Sequence, residues 1–186
     1  MKVLYNNKFN SVYDGNISFR EAGTPFFYIT QGGFKKYKIN ELNILKFNNN
    51  TNFLIRENNY YKKNKVSREV LFHQSIINNS PIEEDVAIIH CHPKNIISYM
   101  KLGNEKRELK TIHNYFPEID LQIGKNVPKL TAGTTELANK VAHNIENNDI
   151  IGLENHGIVS IADNLEDAYD NMYNIEYHCE IFNLQK

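Results

Sequence analysis

The 186-residue chain predicts one α/β domain spanning 1–186, a central and largely antiparallel β-sheet flanked by helices. Three observations lead there. The first half alternates short apolar runs with turn residues, the mark of a meander. From Ser67 onward the apolar period changes from that of strands to that of helices. No linker or internal repeat interrupts the chain, and its length can bury a core without staples.

Taken in order, Ile17-Ser18-Phe19-Arg20 and Phe26-Phe27-Tyr28-Ile29-Thr30 read as strands, and Leu42 to Phe47 as another before the run Asn48-Asn49-Asn50. Ser67 is the expected N-cap of a helix with Glu69 in its first turn and Val70, Leu71, Gln74, Ile77 and Asn78 at helical spacing. Asp85 to Ile89 is β-branched and apolar, a buried strand that runs into His90-Cys91-His92. A short helix is expected from Lys94 to about Leu102. Thr134 opens another, with Leu137, Ala138, Val141 and Ile145 on one face. Asp149 to Leu153 is a second buried strand, ahead of His156. The last helix begins near Asn164, where Asp163 or Asn164 can cap, and carries the stripe Leu165, Ala168, Met172, Ile175, Cys179 and Phe182, which can pack within the domain or on a neighbour.

Bulk properties narrow the function. A net charge of -1 leaves no basic footprint for nucleic acid, so a small substrate is expected. The cluster Tyr61-Lys62-Lys63-Asn64-Lys65 reads as a solvated loop. Cys91 and Cys179 show no paired spacing, which fits a reducing compartment. No apolar stretch approaches the ~20 residues of a membrane span, and the start Met1 to Asn7 lacks a signal-peptide apolar region, so a cytoplasmic protein is expected.

The histidines carry the chemistry. Residues two apart on a strand share a face, so His90 and His92 project together while Cys91 faces the core on the other side. His156 follows the second buried strand, beside Gly157, which permits a tight turn. Three imidazoles without a thiolate are the ligand set of a catalytic zinc that keeps one position open. The other reading is that His-x-His is two unrelated polar residues where a strand leaves the core.

Gly15-Asn16-Ile17-Ser18, Ile29-Thr30-Gln31-Gly32-Gly33, Ser67-Arg68-Glu69-Val70-Leu71-Phe72-His73, His90-Cys91-His92-Pro93, Gly133-Thr134-Thr135-Glu136-Leu137-Ala138 and Asn155-His156-Gly157 together resemble the class II aldolase/adducin family, of the fuculose-phosphate aldolase type. The blocks stand in the family's order over most of the chain. The resemblance implies one Zn2+ per subunit on His90, His92 and His156, and Glu69 as the catalytic acid/base. It implies a substrate phosphate held by Gly15, Asn16, Thr30, Gly33 and Ser67; glycine-rich turns and first helical turns both offer N–H groups to an anion. Arg68 takes the place of a serine frequent in the family, and either clamps the phosphate or faces solvent. The loop Thr30-Gln31-Gly32-Gly33 has one hydroxyl fewer than the family's usual Thr-Pro-Ser/Thr-Gly, and only Met1 to Asp14 precede the Gly15 turn, which leaves little room for the N-terminal helix of most relatives.

The implied reaction is cleavage of a ketose 1-phosphate to dihydroxyacetone phosphate and an aldehyde through a zinc-stabilised enediolate. The resemblance further implies a cytoplasmic homotetramer in which Tyr115, or Asn114 beside it, reaches the neighbouring subunit's site to protonate the aldehyde oxygen. An epimerase ranks low, because those relatives carry aspartate where this chain has Glu69. Two alternatives remain: a methylthioribulose-1-phosphate dehydratase-like hydro-lyase, with Glu118 as its extra acid, and a non-catalytic adducin-like scaffold. His73, one turn after Glu69, is either a support of the site or a plain buried histidine; His113, His143 and His178 have no ligand spacing.

Overall fold

The computed structural model describes residues 1–49, 65–101 and 106–186, together with the backbone of 53–55. Asn50, positions 61–64 of the lysine cluster, and positions 102–105, where the expected end of the third helix and the loop after it fall, lie outside the described residues.

The strands are β1 (Asn16–Arg20), β2 (Phe26–Thr30), β3 (Ile44–Asn48), β4 (Phe53–Ile55), β5 (Val86–Cys91), β6 (Ile150–Leu153) and β7 (Gly157–Ala162). They form one seven-stranded sheet in the order β4-β3-β2-β1-β5-β7-β6, with every neighbouring pair antiparallel. The helices are α1 (Lys2–Asn6), α2 (Val70–Asn79), α3 (Lys94–Met100), α4 (Thr135–Ile145) and α5 (Leu165–Leu184). The expected α/β architecture is therefore present.

Central strand β5 is buried on both faces, as its uninterrupted apolar run requires. Ala87, Ile89 and Cys91 join α3 and α5 through Ile96, Tyr99, Met172 and Phe182 on one side. On the other, Val86 and Ile88 join Phe27, Ile29 and Leu45 with Phe72, Ile76 and Ile77 of α2 and Leu137, Val141 and Ile145 of α4. Each such Ile or Phe, fully buried, contributes roughly 1.5–3 kcal/mol of transfer free energy. The helices thus form a layer on either side of the sheet.

Capping agrees with expectation at two helices. Thr134 accepts from the Leu137 N–H at 3.2 Å and Asn164 from the Asp167 N–H at 2.8 Å. The α5 stripe packs inside the chain, except that Leu165 at its start is exposed. Within the stripe lies Glu176, whose carboxylate accepts from the Asn95 and Ile96 N–H groups at the start of α3.

Three expectations need correction. Residues 41–43 form a 3-10 turn capped by Asn40, so β3 starts at Ile44. The buried face of α2 is Phe72, His73, Gln74, Ile76 and Ile77, and Leu71 is exposed. This helix lies against both the sheet and α4, so its buried arc is rotated from the stripe that spacing suggested. Nor is Ser67 the N-cap of α2. That position is Glu69, and Ser67 Oγ accepts the Glu69 N–H from a preceding turn.

Candidate metal centre and active site

One end of the sheet gathers the chemistry. β1 begins there and β5 ends there, with Asn16 paired to His90, and β7 begins there with Ile158 paired to Cys91. His92 follows β5 directly. His156 sits in the turn joining β6 to β7, where Asn155 takes a left-handed φ of 56°. Gly157 is required next: a Cβ there would collide with the Cys91 carbonyl oxygen and stand 2.8 Å from His92 Cδ2. The missing side chain lets the turn approach β5 closely enough for the three imidazoles to meet.

The imidazole centroids are 4.8–4.9 Å apart, and one ligand nitrogen from each of His90, His92 and His156 can be chosen within 4.8 Å of the others. His90 Nδ1 lies 2.7 Å from the Ile158 carbonyl, so this nitrogen carries a hydrogen and donates. Its Nε2 is left to face His92 Nε2 at 3.1 Å. Two ring nitrogens at that distance can share a hydrogen or, together with His156, a metal ion. The trio fits a metal with three imidazole ligands, His90 being buried and the other two reached from a cleft. This group could bind a divalent metal.

Glu69 completes the centre. Its Oε1 lies 3.2 Å from Nε2 of both His90 and His156. Burial alone would raise this carboxyl, but the His90 charge and hydrogen bonds from His156 and His90 outweigh it and hold Glu69 well below the usual carboxylate range. Burial also lowers His92, with help from the His90 and His156 charges, to about 4. An ionised carboxylate among imidazoles is a donor set for a cation. It also places a base beside whatever the cation holds.

Glu69 is fixed by a relay of neutral groups. Asn16 Nδ2 donates to Glu69 Oε2 at 2.6 Å and to Ser67 Oγ at 3.1 Å. The Asn16 amide is oriented in turn by His73 Nε2, which bonds its Oδ1, while His73 Nδ1 meets Ser18 Oγ at 2.6 Å. Asn16 and Ser18 are two apart on β1 and share the face toward α2. Of the two readings of His73, support of the site is the one its bonds fit.

Burial, the largest effect, and the His90 charge push His73 down to about 3 against the pull of Glu69. The unfolded chain therefore binds a proton that the folded one refuses between about pH 6.5 and 3, so this contribution is complete above pH 6.5 and lost as pH falls toward 3. Relative to neutral pH the loss at pH 5 is about 2 kcal/mol. Denaturation midpoints at pH 7.5 and 5 should lie closer together in His73→Gln than in the parent; equal differences in both proteins would contradict the assignment.

A cleft of about 430 Å³ opens onto this centre, lined by Gly15, Asn16, Gly33, Ser67, Arg68, Glu69, His92 and His156 among others. Gly15 and Gly33 are left-handed, with φ of 75° and 65°. Arg68 is exposed at the rim. The structure thus brings together five of the six residues expected to hold a phosphate. Thr30 lies beneath the cleft, its Oγ1 accepting the Ile17 N–H at 3.0 Å. Tyr115 does not line it: 50% exposed, it meets the Phe182 ring edge-on, with Asn114 exposed beside it. Glu118 lies near His178, 3.7 Å away, and not in the cleft. His113 and His143 are also outside it.

Two cleft residues had escaped the reading of the sequence. Asp14 Oδ2 stands 3.8 Å from His92 Nδ1. Lys36 is 1% exposed, its Nζ donating to the Gln31 carbonyl at 3.2 Å. It stands in the run Lys35-Lys36-Tyr37-Lys38, where nothing local separates a buried lysine from solvated ones.

The profile of the Class II Aldolase and Adducin N-terminal domain matches residues 1–183. An L-fuculose phosphate aldolase of Methanococcus maripaludis strain C7 is 30% identical over 169 residues, covering 90% of this chain and 83% of that protein. A 3-oxo-tetronate 4-phosphate decarboxylase of Haemophilus influenzae is 27% identical over 128 residues, 68% of this chain and 60% of that one. Among solved structures, an L-fuculose 1-phosphate aldolase superposes with a TM-score of 0.79 at 24% identity, covering 99% of this chain and 81% of the other. That likeness speaks for the fold.

Proposed function

Since the chain belongs to the class II aldolase and adducin N-terminal domain family, we propose that it is a zinc-dependent aldolase, one catalytic domain over 1–186 that cleaves a ketose 1-phosphate to dihydroxyacetone phosphate and an aldehyde. The observation that carries the reading is Glu69: an ionised carboxylate 3.2 Å from two of three clustered imidazoles, at the floor of a glycine-walled cleft.

His90, His92 and His156 would hold the zinc, whose contribution is that of a Lewis acid toward the substrate's carbonyl and neighbouring hydroxyl oxygens. Gly15, Asn16, Gly33 and Ser67 bind the phosphate end and so set the reacting carbons beside Glu69. In the direction of synthesis the Glu69 carboxylate takes a proton from carbon 3 of dihydroxyacetone phosphate, and that electron pair forms the new bond to the aldehyde carbon. The aldehyde oxygen gains a proton as the bond closes. Cleavage is the reverse, with Glu69 returning its proton to carbon 3. Asn16, held by His73 and Ser18, keeps the carboxylate aimed.

In this reading Tyr115 of a neighbouring subunit in a homotetramer serves the aldehyde oxygen; within its own chain Tyr115 meets Phe182 edge-on, outside the cleft. Light scattering should give four subunits, and Tyr115→Phe mixed with Glu69→Gln should regain part of the activity. A fully active monomer would end this assignment. No described helix is long and apolar enough to cross a membrane, in keeping with a cytoplasmic enzyme.

The similarity to the decarboxylase favours a second reading, loss of carbon dioxide from a phosphorylated sugar acid. A dehydratase finds less support, since Glu118 lies outside the cleft. Incubation of zinc-loaded protein with ketose 1-phosphates and with phosphorylated 3-oxo acids separates these readings. Aldehyde and dihydroxyacetone phosphate are expected; carbon dioxide without aldehyde would overturn the aldolase in favour of the decarboxylase.

A further inference from the structure

A lysine that is 1% exposed calls for an explanation, because a buried ammonium is stable only where its charge is answered. Lys36 is placed by backbone, its N–H donating to the Val12 carbonyl at 2.8 Å, and its Nζ has the Gln31 carbonyl as its hydrogen-bonded partner. An ammonium has three donors. Among the described residues no carboxylate lies within ion-pair distance of it. Glu69 is engaged with His90, His156 and Asn16, and Asp14 with Ser11 and, at 3.8 Å, His92.

Lys36 also lines the cleft that opens onto the metal centre, in company with Gly15, Gly33 and Ser67. The segment Gly32-Gly33 adds no side-chain donor there, and the Thr30 hydroxyl is bonded beneath it to Ile17. Arg68 and Lys65, the other cations of the wall, are exposed, where water and salt weaken any charge they offer. A buried charge keeps its strength.

We propose that Lys36 is the charged anchor of the substrate's phosphate, a buried ammonium whose counter-charge arrives with the ligand. The inference rests on the reading of the cleft as a sugar-phosphate site and assigns its specificity to this lysine. Burial lowers the Lys36 ammonium from its usual range, Glu69 and Asp14 opposing. A phosphate dianion beside it restores the balance and gains a charge-assisted hydrogen bond. The arrangement selects phosphorylated over neutral sugars, because a neutral ligand leaves the ammonium unanswered.

The test is titration of inorganic phosphate into zinc-loaded protein by calorimetry, wild type against Lys36→Met. The variant should bind phosphate at least about tenfold more weakly, as loss of a charged hydrogen bond predicts, with zinc content unchanged. In phosphate-free buffer it should also melt no lower than wild type, since methionine removes a buried charge that has no carboxylate within ion-pair distance among the described residues; a purely structural lysine would shift the melt downward. Wild-type protein that ignores phosphate, or a variant that binds it within twofold of wild type, overturns the proposal. Should Lys36→Met not fold, the same titration with Lys36→Gln decides it. The aldolase reading is judged separately by product identity: aldehyde formation with no role for Lys36 sinks only the anchor.

Discussion

Replacing His156 by alanine is expected to remove bound zinc and turnover together. The proposed protein ligand set is His90, His92 and His156, and two imidazoles with no third leave a site that competes poorly with water. His156 stands in a half-exposed turn outside both core clusters, so the fold should survive its loss. Metal analysis after dialysis should find about one zinc per chain in the parent and almost none in the variant, with unchanged circular dichroism. Full zinc content in His156→Ala would mean the metal sits elsewhere.

Glu69→Gln should separate the two halves of the centre. The amide keeps the shape of the side chain and can still accept from Asn16 through its oxygen, but it cannot take a proton. Zinc should stay while turnover falls by at least about 10²-fold, the lower end for a lost general base. Near-normal turnover would place the base on another residue. The comparison is informative because the same carboxylate touches two imidazoles: zinc lost along with activity would make Glu69 a ligand first and a base second.

Much of this arrangement is legible in the chain before any fold is known. The run from Val86 to Ile89 announces a strand buried on both faces, and the two-residue repeat then puts His90 and His92 together. Thr134 and Asn164 mark their helices because N-capping is a local event. What escapes depends on distant partners. Asn16 reads as a turn residue, yet its amide orients Glu69 because β1 lies beside β5 and under α2. The buried arc of α2 is set by α4, and Lys36 is hidden by the way its segment packs. Ser67 resembles a cap at every local level, but Glu69 is drawn toward the imidazoles, leaving its own backbone near φ −92°, ψ 3° and the helix to start after it.

Because the whole centre lies at one end of the sheet, the chain's tolerance for inserted residues should be polarised. The β1–β2 connection at the opposite end carries Gly23, whose absent side chain would meet nothing within 4 Å. Lengthening a loop there costs only about 0.6 kcal/mol per doubling. A single residue added between Ile88 and Ile89 would instead turn His90 away from its partners, since a one-residue slip exchanges the faces of a strand. Zinc content after each insertion reads the difference. New segments can be grafted at the Gly23 end, while the spacing of β5 is as constrained as the identity of its histidines.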